Sequence, residues 1–152
     1  MITKILSISD VITNSSSEVF VMTEDNAKYY DNLENTEGCI SIEPIDFDWI
    51  LRGWEHELVI DMCGLDKSEV FTFVENQTDK EYWWDDFYNG KRGHWAEPSQ
   101  EDWKTFCELH KDEIMKLVDK NLYFVDIEDH FEDAYDVTEN ARDDALWTDY
   151  RH

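Results

Sequence analysis

Mutual repulsion is the first thing any fold of this chain must accommodate. Thirty-seven of the 152 residues are Asp or Glu against thirteen Lys or Arg, a formal net charge of −24. A domain of this length has a radius of gyration of roughly 15 Å, so it is about 38 Å across. Duplex DNA carries the same charge along about 40 Å of its axis. The chain thus packs roughly one diameter's worth of DNA-like charge into one molecule, which makes imitation of nucleic acid physically possible. The charge also weakens the compact state, an effect that salt relieves. It argues against bare nucleic acid or an anionic membrane as partner, and for a basic partner, divalent cations or solubility alone.

The aromatic content says that the chain folds in spite of this. Seven Trp, seven Tyr and eight Phe, with 41% hydrophobic residues, supply a core. Disordered acidic chains lack these residues. Two Pro and five Gly favour regular structure. The length fits one domain spanning residues 1–152. The three cysteines, Cys39, Cys63 and Cys107, are scattered and form no C-x-x-C pair, which suits a reducing cytoplasm over a disulfide framework or zinc site. The N-terminal residues are too short an apolar run for a signal peptide, and no stretch reaches the ~20 apolar residues of a membrane span.

Residues 2–9 and 18–23 read as strands joined by an Asn- and Ser-rich turn, an N-terminal hairpin. Thr23 is placed to cap a helix over 24–34, CISIEP (39–44) to form an edge strand ending at Pro44, and Asp46 to start a helix that Gly53 stops. Within 56–76, ELVIDMC and VFTFV suit helix or strand, and a helix beginning near Asp66 or Lys67 is favoured. Residues 77–98 form an irregular, aromatic-rich excursion with turns at Asn89-Gly90 and Arg92-Gly93. Ser99 with Asp102 resembles a capping box, and Trp103, Phe106, Cys107, His110, Ile114, Leu117 and Val118 describe an amphipathic helix over about 100–120. LYFVDI (122–127) is a strand. The remainder to about Trp147 is expected to be helical, with Phe131, Ala134, Tyr135, Ala141, Ala145 and Leu146 inward. The fold class is α+β: a small, mainly antiparallel sheet with packed helices.

Between Asp126 and Asp149 stand ten carboxylates and one base, Arg142. Asp126, Asp129, Asp133, Asp136 and Asp143 follow a 3-4-3-7 spacing. On one continuous helix they would share a face, rising about 5 Å from one to the next. Like charges at i, i+4 destabilise a helix, so a surface tuned for stability alone would intersperse cations. The stripe reads either as a solvated face or as phosphate surrogates for a basic partner. Trp83, Trp84 and Tyr88 are candidate anchors for that interface, or a lid over the protein's own core.

Catalytic signals are weak. His130 lies among Asp126, Asp129 and Asp133, so a metal-dependent enzyme is an alternative, but the sequence has no H-E-x-x-H and no EF-hand loop. His110 reads as a core or edge histidine, and His94, in the basic cluster KRGHW, as packing against the protein's own acids. Ser15-Ser16-Ser17-Glu18 lacks the G-x-S-x-G setting of a nucleophile. No catalytic residue, metal ligand or cofactor is assigned.

The segment DVITNSSSEVF (residues 10–20) resembles the N-terminal serine-rich segment of many small uncharacterised phage and bacterial proteins, in which a strand, a TNSSS-type run and an apolar strand follow one another. The resemblance implies a phage or mobile-element origin and carries over no active site. The expected function is that of a non-enzymatic, phage-type accessory protein in the host cytoplasm. It would dock an acidic face onto a basic, nucleic-acid-binding host protein and block it, without binding nucleic acid or membrane itself. A virion or structural component is a further alternative. Neither the oligomeric state nor the partner's identity follows from the sequence.

Overall fold

The structure is a computed structural model that describes residues 16–53, 55–75 and 93–151. Among them are six α-helices, a four-stranded sheet and a two-stranded sheet, all pairings antiparallel, so the fold is α+β. They divide into two compact units, one built from the chain up to Asp46 and from Val118 onward, the other from Phe47–Leu117. No helix among the described residues is long and apolar enough to cross a membrane.

The first unit holds the four-stranded sheet. Its strands are β1 (Ser17–Thr23), β2 (Ile40–Pro44), β5 (Leu122–Glu128) and β6 (Trp147–Arg151), in the order β2-β5-β1-β6. β1 and β5 carry the β-branched and aromatic runs EVFVMT and LYFVDI, and so they take the centre, with Val19–Met22 buried in succession. β2 ends at Pro44, which donates no backbone hydrogen bond and is tolerated on an edge. β1 is paired along one side by β5 (Phe20↔Val125) and along the other by β6 (Phe20↔Thr148). The first strand of the expected N-terminal hairpin, residues 2–9, lies outside the described residues.

Two helices cover one sheet face: α1 (Glu24–Asp31) and α6 (Ala134–Asp144). Thr23 caps α1 as its sequence position indicates, its side chain accepting from the Asn26 N–H. Phe20 and Met22 of β1 and Val125 and Ile127 of β5 form one cluster with Ala27 and Tyr30 of α1, Phe131, and Ala134 and Ala141 of α6. The Tyr30 hydroxyl, at the edge of this cluster, donates to Asp144 Oδ2 at 2.7 Å.

The second unit contains α2 (Phe47–Arg52), α3 (His56–Cys63), a single 3-10 turn (Lys67–Glu69), the strand pair β3 (Thr72–Glu75) and β4 (Gly93–Ala96), α4 (Gln100–Leu109) and α5 (Lys111–Val118). Trp103 is its centre. It is fully buried, stacks on Phe106 and meets the His56 ring at 4.4 Å, and its indole N–H donates to the Ile50 carbonyl at 2.8 Å. Two expectations are corrected here. The helix placed near Asp66 is α3 instead, stopped by Gly64 in the left-handed conformation (φ +66°) with the Leu65 N–H closing back on the Ile60 carbonyl; Asp66 caps only the 3-10 turn, and VFTFV supplies β3. The helix over 100–120 is two helices, broken at His110, whose Nε2 lies 2.6 Å from Glu69 Oε2. The Ser99 cap is as expected, its hydroxyl accepting from the Asp102 N–H. Most of the 77–98 excursion lies outside the described residues, but Gly93–Ala96 is a strand, paired to β3.

Candidate partner-binding face on the last helix

The acidic segment 126–149 is not one helix. It runs as strand β5, a connecting loop, helix α6 and strand β6. LYFVDIE is too rich in β-branched and aromatic residues to leave the sheet, and WTDYR returns to pair with β1. The five-aspartate stripe is therefore divided. Asp126 sits in β5 beside Ile127 of the core, so strand alternation points it to the sheet face opposite α6. Asp129 lies in the loop, and Asp133 is the N-cap of α6 without a side-chain capping bond. Only Asp136 and Asp143 remain on the helix, both exposed. Trp83, Trp84 and Tyr88, the expected aromatic anchors, lie outside the described residues.

What α6 keeps is a shorter acidic face. Ala134 and Ala141 are buried against the sheet, and Asp136, Glu139, Asn140 and Asp143, at i, i+3, i+4 and i+7, line one open depression with Arg142. Two residues expected to point inward do not: Tyr135 is 72% and Leu146 59% exposed. Tyr135 leans along the helix, donating from its hydroxyl to Glu139 Oε1 at 3.3 Å.

Arg142, the lone base of the segment, does not serve these carboxylates. It reaches back to Glu18 of β1, donating from Nε at 2.8 Å and from Nη2 at 2.7 Å. Thr148 of β6 adds a third hydrogen bond to the same carboxylate at 3.0 Å. Glu18 is only 6% exposed, and among the described residues it is the one buried carboxylate. The hydrogen bond from Arg142 holds the Glu18 carboxyl below its ordinary value, against burial, which pushes the other way; Glu18 in turn raises Arg142. Sequence reasoning missed this pair, whose members are 124 residues apart. Two signals pointed to it: a single charge inside the apolar run EVFVMT, and a single base among ten acids.

Asp129 accepts a hydrogen bond from the Ser16 hydroxyl, and His130 Nδ1 stands 3.5 Å from Asp129 Oδ1. Among the described residues no three His, Cys, Asp or Glu side chains gather to hold a metal ion, so the His130 cluster comes down to this one contact with Asp129. The arrangement offers carboxylate acceptors to cationic groups. No family model matches the chain, and neither does any curated protein or solved structure.

Proposed function

We propose that this protein acts without catalysis, by docking the acidic face of α6 onto a basic, nucleic-acid-binding surface of another protein and blocking it. Its concrete form is a phage-type accessory protein that inhibits a host defence protein in the host cytoplasm. The observation that carries this reading is the commitment of Arg142 to Glu18: Arg142 borders the depression, but its hydrogen bonds go to Glu18, and Asp136, Glu139 and Asp143 stay exposed. Three lysines among the described residues are used locally: Lys28 on Glu24 at 3.1 Å, Lys67 on Glu57 at 2.7 Å and Lys116 on Glu113 at 3.6 Å. Asp136 and Asp143 are separated by about 10 Å along the helix axis at ~1.5 Å per residue. One DNA strand sets about three phosphate steps in that distance, so the face imitates a short run of phosphates and not a whole duplex.

The test is capture from a nuclease-treated bacterial lysate on the immobilised protein at 0.1 M and 1 M salt, between which the screening length falls from about 10 to 3 Å. Asp136→Lys with Asp143→Lys is compared with Asp112→Lys with Asp119→Lys, an equal charge change on exposed positions of α5 and the loop after it. The expected result is a captured protein whose affinity falls about tenfold in the α6 variant and holds within about twofold in the control, and which duplex DNA displaces. Equal losses in both variants, or binding indifferent to DNA, overturns the reading.

A further inference from the structure

Beside the acidic face lies a cleft of about 210 Å³ lined by Ser16, Asp129, Tyr135, Thr138, Arg142 and Tyr150, all in the first unit. With Ser17 and Glu18 also in its lining, it holds one exposed and one buried carboxylate, three Ser or Thr hydroxyls and two exposed tyrosines. Tyr135 and Tyr150 are 72% and 53% exposed. Large aromatic side chains exposed at the rim of a cleft are common where binding energy is concentrated. We infer that this cleft is a socket for a cationic side chain of the docked partner, and specifically for arginine. The inference rests on the docking reading above and deepens it by naming the group the partner inserts.

Three features favour a cation over an anion or an apolar group. The positive charge of Arg142 at the cleft wall is already neutralised by two hydrogen bonds to Glu18. The Asp129 carboxylate is about half exposed, with the Ser16 hydroxyl as a neutral donor and the His130 nitrogen at a distance too long for a formed hydrogen bond. The exposed Tyr135 ring offers an electron-rich face to a positive charge. The second cleft of similar size, about 250 Å³ beside α1, makes the contrast: Lys28 already lies in it, 3.1 Å from Glu24, and the Tyr123 hydroxyl donates to the same carboxylate. There a lysine pairs with the carboxylate, whereas among the described residues no Lys or Arg pairs with Asp129 and the cleft's own Arg142 is bound to Glu18.

Arginine fits better than lysine for a geometrical reason. Its planar guanidinium presents several donors in one plane and stacks on aromatic faces, so it can meet Asp129 at its edge and a tyrosine on its flat side together. A lysine ammonium is a strongly hydrated point charge and gains from the carboxylate alone. The same surface then has two distinct parts. The α6 carboxylates attract any basic protein, and the cleft selects one that places an arginine beside them.

The experiment titrates the whole protein by calorimetry with capped hexa-arginine and hexa-lysine peptides in 0.1 M salt. The wild type is expected to bind the arginine peptide about tenfold more tightly. Tyr135→Ala with Asp129→Asn should bring that ratio below about twofold while the residual, salt-dependent binding of both peptides persists. Tyr135→Ala alone, at a side chain exposed enough to spare the fold, should lower the ratio part of the way. Asp136→Lys with Asp143→Lys should weaken both peptides together and leave the ratio intact. An unchanged ratio in the Tyr135 and Asp129 variants, or no preference in the wild type, sinks the socket and leaves the acidic face standing. If neither peptide binds the wild type, the docking reading itself fails.

Discussion

Glu18→Gln is the perturbation that most directly tests how the first unit is held together. The carboxylate is 6% exposed and accepts three hydrogen bonds, two from one guanidinium at 2.8 and 2.7 Å and one from Thr148 at 3.0 Å. An amide of nearly the same shape keeps one acceptor oxygen, but turns an NH2 group toward a guanidinium N–H, where two donors oppose each other. Hydrogen bonds to charged groups contribute about 1.5–3 kcal/mol each, and neutral ones roughly half of that. Losing one bond and weakening another should cost about 2 kcal/mol, a substantial share of the ~5–15 kcal/mol typical of a domain. With a urea slope of about 2 kcal/mol per molar, the midpoint should fall by about 1 M at pH 7.

The pH dependence separates charge from packing. The Glu18 carboxyl is held below its ordinary value of 4.5 in the folded state. The unfolded chain therefore takes up its proton first as pH falls, and the stabilisation is present above about pH 4.5 and lost as pH drops through the lowered native value. The amide does not titrate, so the gap between wild type and Glu18→Gln should narrow between about pH 7 and pH 3. The measurement is paired urea titrations followed by circular dichroism at both pH values. A gap under about 0.5 kcal/mol at pH 7 would show that the pair does not hold the fold. A gap unchanged at low pH would show that the cost is steric.

Two further predictions concern single residues. His56 is buried against Trp103 and Phe71, and desolvation lowers its pKa from the ordinary 6.5 against the opposing pull of Glu97, Glu55 and Glu57; stability should decline as pH drops below about 6.5, and His56→Phe should flatten the melting-temperature profile between about pH 5 and 7. Glu37 holds a left-handed backbone at φ 56°, a conformation that costs a side-chain-bearing residue about 1 kcal/mol, so Glu37→Gly should raise stability by roughly 0.5–1 kcal/mol in urea unfolding, and a loss would contradict the strain.

The sequence carried the local structure well and the long-range structure poorly, for identifiable reasons. Thr23 and Ser99 announced α1 and α4 because a cap is a bond between residues three apart. β1, β2 and β5 were visible as β-branched runs. HELVIDMC resisted assignment because Leu58, Val59 and Ile60 are all buried, so no face alternates and period says nothing. The break at His110 was hidden because the apolar rhythm continues across it, Phe106 and Cys107 before and Ile114 and Leu117 after. The described neighbours of β1 were not legible because they come from residues about a hundred positions or more away. In the acidic segment, aspartate spacing alone was read as helical, although β propensity governs the backbone on both sides of α6. Of the candidate site, the spacing puts Asp136 and Asp143 on one helix, while Tyr135 reads as core and nothing local ties Glu18 to Arg142.

The buried pair links the fold to the proposed docking face. Replacing a buried ion pair with well-packed apolar groups is often neutral or stabilising, so stability alone is a poor reason for Glu18 and Arg142 to face each other. Orientation is a better one. Ala134 and Ala141, the buried residues of α6, are small and would let the helix roll on the sheet. A guanidinium locked by two bonds to a fixed strand residue sets the rotation of α6 about its axis. With Arg142 held at that angle, Asp136, Glu139 and Asp143 have one direction left to face, outward, and Tyr135 stands beside the Asp129 cleft. The hydrogen bonds of the segment's one base are thus committed to Glu18 at the border of the acidic face, and they aim that face.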